Sequence, residues 1–183
     1  MKSSVISTWL VLFSTIEWIQ KVNGAYGNTP LLKAAKSNDL DLVKRLLAQG
    51  VDAKATNSFR TTALMLAAMN GAEKMVEILL PMSEAKASND YGITALMYAA
   101  KYAAKYGTEK MVKLLLPKSD AKAVPNSGYT ALMLAAKYGN VKMVERLLPN
   151  SDAKATNWRK ETAYDLAKKY QRIQIVRLLQ KYN

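Results

Sequence analysis

The sequence predicts an all-α solenoid, an elongated stack of short helix-turn-helix units, each carrying a projecting β-turn. Two observations predict it. Threonines in the same local context stand at Thr29, Thr62, Thr94, Thr130 and Thr162, at intervals of 33, 32, 36 and 32 residues, and a period near 33 marks a repeat array. Each threonine also opens the same passage: a hydroxyl able to cap free backbone N–H groups, a short Ala/Leu/Met-rich helix, a residue that tolerates a left-handed backbone, a second helix and a polar turn. The stretch from Thr130 to Asn157, TALMLAAKYGNVKMVERLLPNSDAKATN, shows the unit whole.

Composition bounds the function before any motif is read. The chain has 183 residues, half of them hydrophobic, and a net charge of +13 with a pI near 9.8. A core is within reach, and acidic proteins, nucleic acid and anionic membranes are all conceivable partners. There is no cysteine and no histidine, which removes disulfides, thiolate and imidazole metal ligands, thiol nucleophiles and the Ser-His-Asp arrangement. No glycine loop for phosphate and no carboxylate pair in an acid–base context is found. The expectation is therefore a binding protein, not an enzyme, with no catalytic residue, no cofactor and no metal site. Asp52, Glu84, Asp120 and Asp152 recur with the repeat, but Lys54, Lys86, Lys122 and Lys154 follow each by two residues. They read as salt-paired turn residues, not as a metal ladder.

Residues 1–25 differ from the rest. Lys2 gives a positive start, Val5 to Phe13 (VISTWLVLF) is largely apolar, and the segment closes on Asn23, Gly24 and Ala25. That order is the order of a secretory signal peptide. The apolar run is too short for a stable membrane span, which needs about 20 residues. The competing reading is an N-terminal helix with Val5, Trp9, Phe13 and Ile16 on one face, capping the first unit. Export to the periplasm or beyond follows from the first reading, and a cytoplasmic protein from the second.

The units divide the remaining chain at 26–57, 58–89, 90–125, 126–157 and 158–183. Leu31, Leu64, Leu96, Leu132 and Tyr164 recur two residues after the threonine, and Ala34, Ala67, Ala99, Ala135 and Ala167 five after it. In the second helix Leu42, Met75, Met111, Met143 and Ile175 precede Val43, Val76, Val112, Val144 and Val176. These faces can be buried only against the next copy. Gly71, Gly107 and Gly139, with Asn38 in the first copy, fall where the first helix must reverse. Pro81, Pro117 and Pro149 are expected to stop the second helix. Arg60 and Lys160 stand where other turns have glycine. The third copy has AAKYAAKYG where the fourth has AAKYG, four extra residues, so its first helix should run one turn longer. Lys33 in the first unit and Lys168, Gln171, Arg172 and Gln180 in the last give the array polar ends.

The passage from Thr29 to Ala35, TPLLKAA, followed by LDLVKRLLAQGVDAKATN from Leu40, resembles an ankyrin repeat, and four further copies resemble it in tandem. The family's histidine after TPL is replaced by Leu32, Met65, Met97, Met133 and Asp165, so packing must substitute for its hydrogen bonds. The resemblance implies a protein-binding module whose turn tips and first-helix ends face one concave groove. On this chain those positions include Phe59, Tyr91, Tyr129 and Trp158 at the tips, and Lys105, Tyr106, Lys137, Tyr138, Lys169 and Tyr170 at the helix ends. Lys101 and Tyr102 add a pair within the extra turn. Lysine beside tyrosine in successive copies makes a basic, aromatic surface suited to an acidic protein partner. The array is expected to act as a monomer. Nucleic acid is the alternative partner, favoured by the net charge, while the scarcity of arginine and the scatter of the lysines count against it.

Overall fold

The computed structural model describes residues 27–106 and 109–182, without the side chains of 103–106. The segment 1–25 and Gly107 therefore lie outside the described residues. Among the described residues ten α-helices follow in pairs: α1 (Pro30–Lys36) and α2 (Leu40–Ala48), α3 (Ala63–Met69) and α4 (Glu73–Leu79), α5 (Ala95–Tyr106) and α6 (Glu109–Leu115), α7 (Ala131–Tyr138) and α8 (Val141–Leu147), α9 (Ala163–Lys169) and α10 (Ile173–Leu179). The first helices form one row and the second helices another. Neighbours in the first row pack more closely than neighbours in the second, so the stack curves with the first helices and the turns on its inner side.

Each first helix starts at its threonine for the same reason. The hydroxyls of Thr29, Thr62, Thr94, Thr130 and Thr162 accept the backbone N–H three residues on, at 3.2–3.3 Å. A cap of this kind contributes about 1 kcal/mol. Behind the caps, Ala34, Ala67, Ala99, Ala135 and Ala167 are at most 1 % exposed, and their small side chains let the first helices approach. Leu32, Met65, Met97 and Met133 are buried in the positions after the caps. Asp165, their counterpart in the last unit, closes a capping box: its Oδ2 accepts both the N–H and the hydroxyl of Thr162, at 2.9 and 2.8 Å.

Two sequence expectations change, and one position left open is filled. The prolines do not stop the second helices outright. Pro81, Pro117 and Pro149 sit inside single 3-10 turns, Leu80–Met82, Leu116–Lys118 and Leu148–Asn150, that prolong each helix. Proline fits at the start of such a turn because its missing N–H is not called on there. The periodic acids are not salt-paired to their lysines either. Asp52, Asp120 and Asp152 accept the backbone N–H of Lys54, Lys122 and Lys154 at 2.8–2.9 Å, a local turn that a short carboxylate reaches more readily than a solvated ammonium. Finally, the left-handed reversal after the first helix is made in the last unit by Gln171 (φ 56°), a position equivalent to Asn38 (φ 59°), Gly71 (φ 70°) and Gly139 (φ 86°).

Helix α5 has 12 residues, where α7 has 8 and α1, α3 and α9 have 7. Among the described residues no helix is long and apolar enough to cross a membrane.

Candidate functional site

The turns build one wall of the groove. Asn57, Asn89 and Asn157 stand five residues before a capping threonine, and the Oδ1 of each accepts two backbone N–H groups at 2.8–3.0 Å. Each amide thus clamps the tip from which an aromatic or basic side chain projects. In the fourth unit Pro125 takes this position. Their regular offset from the threonines is visible in the sequence, but the clamp they form shows only in the folded turn. Successive turns also bond to one another: Asp90 N–H donates to the Phe59 carbonyl and Asn126 N–H to that of Tyr91, both at 3.0 Å. This registry lays the Phe59 ring on Tyr91, with centroids 6.3 Å apart and planes inclined by 21°. Close approach explains two glycines: a Cβ at Gly92 would lie 2.8 Å from the Pro125 Cα, and one at Gly128 2.7 Å from the Asn157 Cα.

Phe59, Tyr91 and Trp158 are more than half exposed, and the Arg159 guanidinium lies 4.4 Å from the Trp158 ring. Tyr129 points inward and is half-buried. The acids near the tips are both neutralised. Asp90 accepts from Arg60 at 2.7 Å, and Glu161 from Lys169 at 2.6 Å.

The ends of the first helices build the other wall, and they are not uniform. Lys137 has three described rings around it: its ammonium stands 5.3 Å from the Tyr129 ring, 5.6 Å from Tyr138 and 5.3 Å from Tyr170 of the next unit. Contacts of this kind contribute about 0.5–1 kcal/mol each at exposed sites. Lys101 stands 5.2 Å from the Tyr102 ring. Lys169 belongs to the same series but is committed to Glu161, whose hydrogen bond raises the Lys169 pKa while the Lys169 and Asn157 hydrogen bonds lower that of Glu161. In the second unit Met69 and Asn70 replace the pair, and Asn70 donates to the Ala35 and Lys36 carbonyls, both at 3.0 Å. Helix α5 carries the backbone of Lys105 and Tyr106, whose side chains lie outside the description.

Between α5 and α7 the groove deepens into a cleft of about 250 Å³, with Ile93, Met97, Leu134, Tyr98, Lys101 and Lys137 among its walls. Tyr98 was not singled out from the sequence. It occupies the position of Leu66, Leu134 and Leu166 in other units, so a tyrosine there was itself the signal. Its hydroxyl accepts a long hydrogen bond from the Asn89 amide at 3.5 Å, and burial pushes the phenol pKa up. Tyr98 therefore stays protonated near neutral pH.

Among protein families, the profile described as ankyrin repeats (3 copies) matches residues 31–102 and 101–183. No curated protein matches the chain. The matched span takes in every helix pair described above and all but the first capping threonine and the proline after it, and the chain belongs to the ankyrin-repeat family.

Proposed function

We propose that this protein is a non-enzymatic recognition module that binds an acidic protein segment in the groove between its turn tips and first-helix ends. Ankyrin repeats are in general protein–protein interaction modules, and the family is typically non-enzymatic. The observation that carries the proposal is Lys137 held among Tyr129, Tyr138 and Tyr170. Three rings restrain a long side chain in place, so less rotamer freedom is lost when it meets a carboxylate. The tyrosines supply large contact area at the same spot. Arg60 and Lys169 already neutralise Asp90 and Glu161, which leaves little on this face to repel an acidic chain. A net charge of +13 further speeds encounter with such a partner.

A display library of random peptides tests this. Acidic sequences should be enriched, and Tyr138→Ala with Tyr170→Ala should weaken the best binder by about tenfold or more while melting shifts by only a few degrees. Enrichment without acidic bias would overturn the proposal. So would a preference for single-stranded oligonucleotides of any sequence with steep salt dependence, which would give the groove to nucleic acid. One copy of the chain suffices for this groove. Its compartment depends on residues 1–25: the intact mass of the native protein distinguishes an exported species from one that keeps its leader and works in the cytoplasm.

A further inference from the structure

We infer that the cleft between α5 and α7 receives one particular feature of the partner: a large apolar side chain with a carboxylate next to it, as in Phe or Leu flanked by Asp or Glu in an extended segment. This assignment rests on the acidic-groove function proposed above and narrows it from a run of acids to a single anchoring pair.

Charge is the first ground. The sequence suggests a ladder of equivalent lysines, but the structure leaves an uneven one. Lys169 is bound to Glu161, and Met69 takes the place of a lysine in the second unit. Among the described residues neither Lys101 nor Lys137 has a carboxylate within ion-pair reach, and both border the same cleft. Positive charge therefore converges on one place. A long acidic run would gain little beyond it, since Lys169 is already committed to Glu161 and Arg60 to Asp90.

The cleft itself is the second ground. Ile93, Met97 and Leu134 give it apolar walls, and about 250 Å³ suits one large side chain, not a helix. Tyr98 then adds a hydroxyl where other units have leucine. Its oxygen takes the Asn89 amide, so its own proton is left to donate. Two ammonium groups and one hydroxyl donor around an apolar pocket match a carboxylate carried on an apolar arm. Among the described residues no acidic side chain lines the cleft to oppose it.

The test uses the full chain with ¹³C-methyl methionine and follows the Met97 methyl, assigned through Met97→Leu. N-acetylphenylalanine carries both elements; N-acetylphenylalaninamide lacks the charge and glutarate lacks the arm. The acid should shift the Met97 methyl saturably, with the amide and glutarate each weaker by about fivefold or more. Lys101→Gln, Lys137→Gln and Tyr98→Phe should each weaken the acid and leave the amide unchanged. Equal binding of acid and amide overturns the anchoring pair, as does a response confined to other methionines. An oligoglutamate peptide separates the two levels of the proposal. If it binds while N-acetylphenylalanine does not, the anchor falls and the acidic groove stands; if neither binds, both fall.

Discussion

Arg60 and Lys160 hold a left-handed backbone, φ 55° and 61°, at the turn position that Gly92 and Gly128 fill in the neighbouring units. For a residue with a Cβ this conformation costs roughly 1–2 kcal/mol, and glycine would relieve it while returning about 0.4–1 kcal/mol of freedom to the unfolded chain. Lys160→Gly should therefore stabilise the protein by about 0.5–1 kcal/mol in urea denaturation. Arg60→Gly should gain less, because it also loses the bond to Asp90. The reverse change meets a harder obstacle. At Gly128 a Cβ would press on the Asn157 backbone at 2.7 Å, which cannot swing aside, so Gly128→Ala should cost about 2 kcal/mol or more. A neutral Gly128→Ala would mean that successive turns are not in contact. Glu161 offers a second test, by pH. Its hydrogen bonds from Lys169 and Asn157 lower its pKa from the ordinary 4.5. As pH falls below 4.5 the unfolded carboxylate takes up its proton first, and the stability this group contributes is lost down through the folded pKa. The stability gap between wild type and Glu161→Gln, open near neutrality, should narrow over that acid range. A gap that does not change with pH would leave the Lys169 pair without a role.

The helix pairs were legible because each boundary has a chemical mark of its own: threonine at the start, a left-handed residue at the reversal, leucines before the turn. Helix α5 shows how far that legibility extends. Its 12 residues against the 8 of α7 match the four residues inserted in the sequence, and four residues are close to one turn of 3.6, so the buried face stays nearly in phase. Deleting Ala103 to Tyr106 should shorten α5 to the length of α7 and remove about one turn of helical circular dichroism, with melting altered by only a few degrees. Loss of the folded state would show that the extra turn holds the third and fourth units together. What escaped the sequence reading were contacts decided between elements or by side-chain reach. Whether Asp52 meets an ammonium or an amide depends on a carboxylate being short and a lysine being solvated. Gln171 adopts the reversal without glycine because the register of the last pair requires it. The Tyr98 hydroxyl has meaning only once Asn89, nine residues earlier, is brought under it.

Across the whole stack, each second helix has two apolar faces, and the two ends reveal which face looks which way. Val43, Val76, Val112 and Val144 are fully buried, whereas Val176 in the last unit is only half-buried; this position faces the following copy. Met75 and Leu79, with their counterparts down to Ile175 and Leu179, are at most 1 % exposed, whereas Leu42 and Leu46 of the first unit are half-buried; these face the preceding copy. Stability in such an array is close to a sum of units and nearest-neighbour interfaces, so the same substitution should cost different amounts at an end and in the middle. Leu79→Ala should destabilise by about 3 kcal/mol, within the range for a fully buried leucine. Leu46→Ala, at the equivalent position, should cost about half as much, because among the described residues it has contacts within its own unit and no preceding unit to pack on. Urea denaturation of the two variants in the full chain measures the difference. Equal losses would mean that the face of Leu42 and Leu46 is sealed by chain before Gly27, as an N-terminal capping helix requires; unequal losses would leave that face as the true end of the solenoid, as a cleaved leader requires.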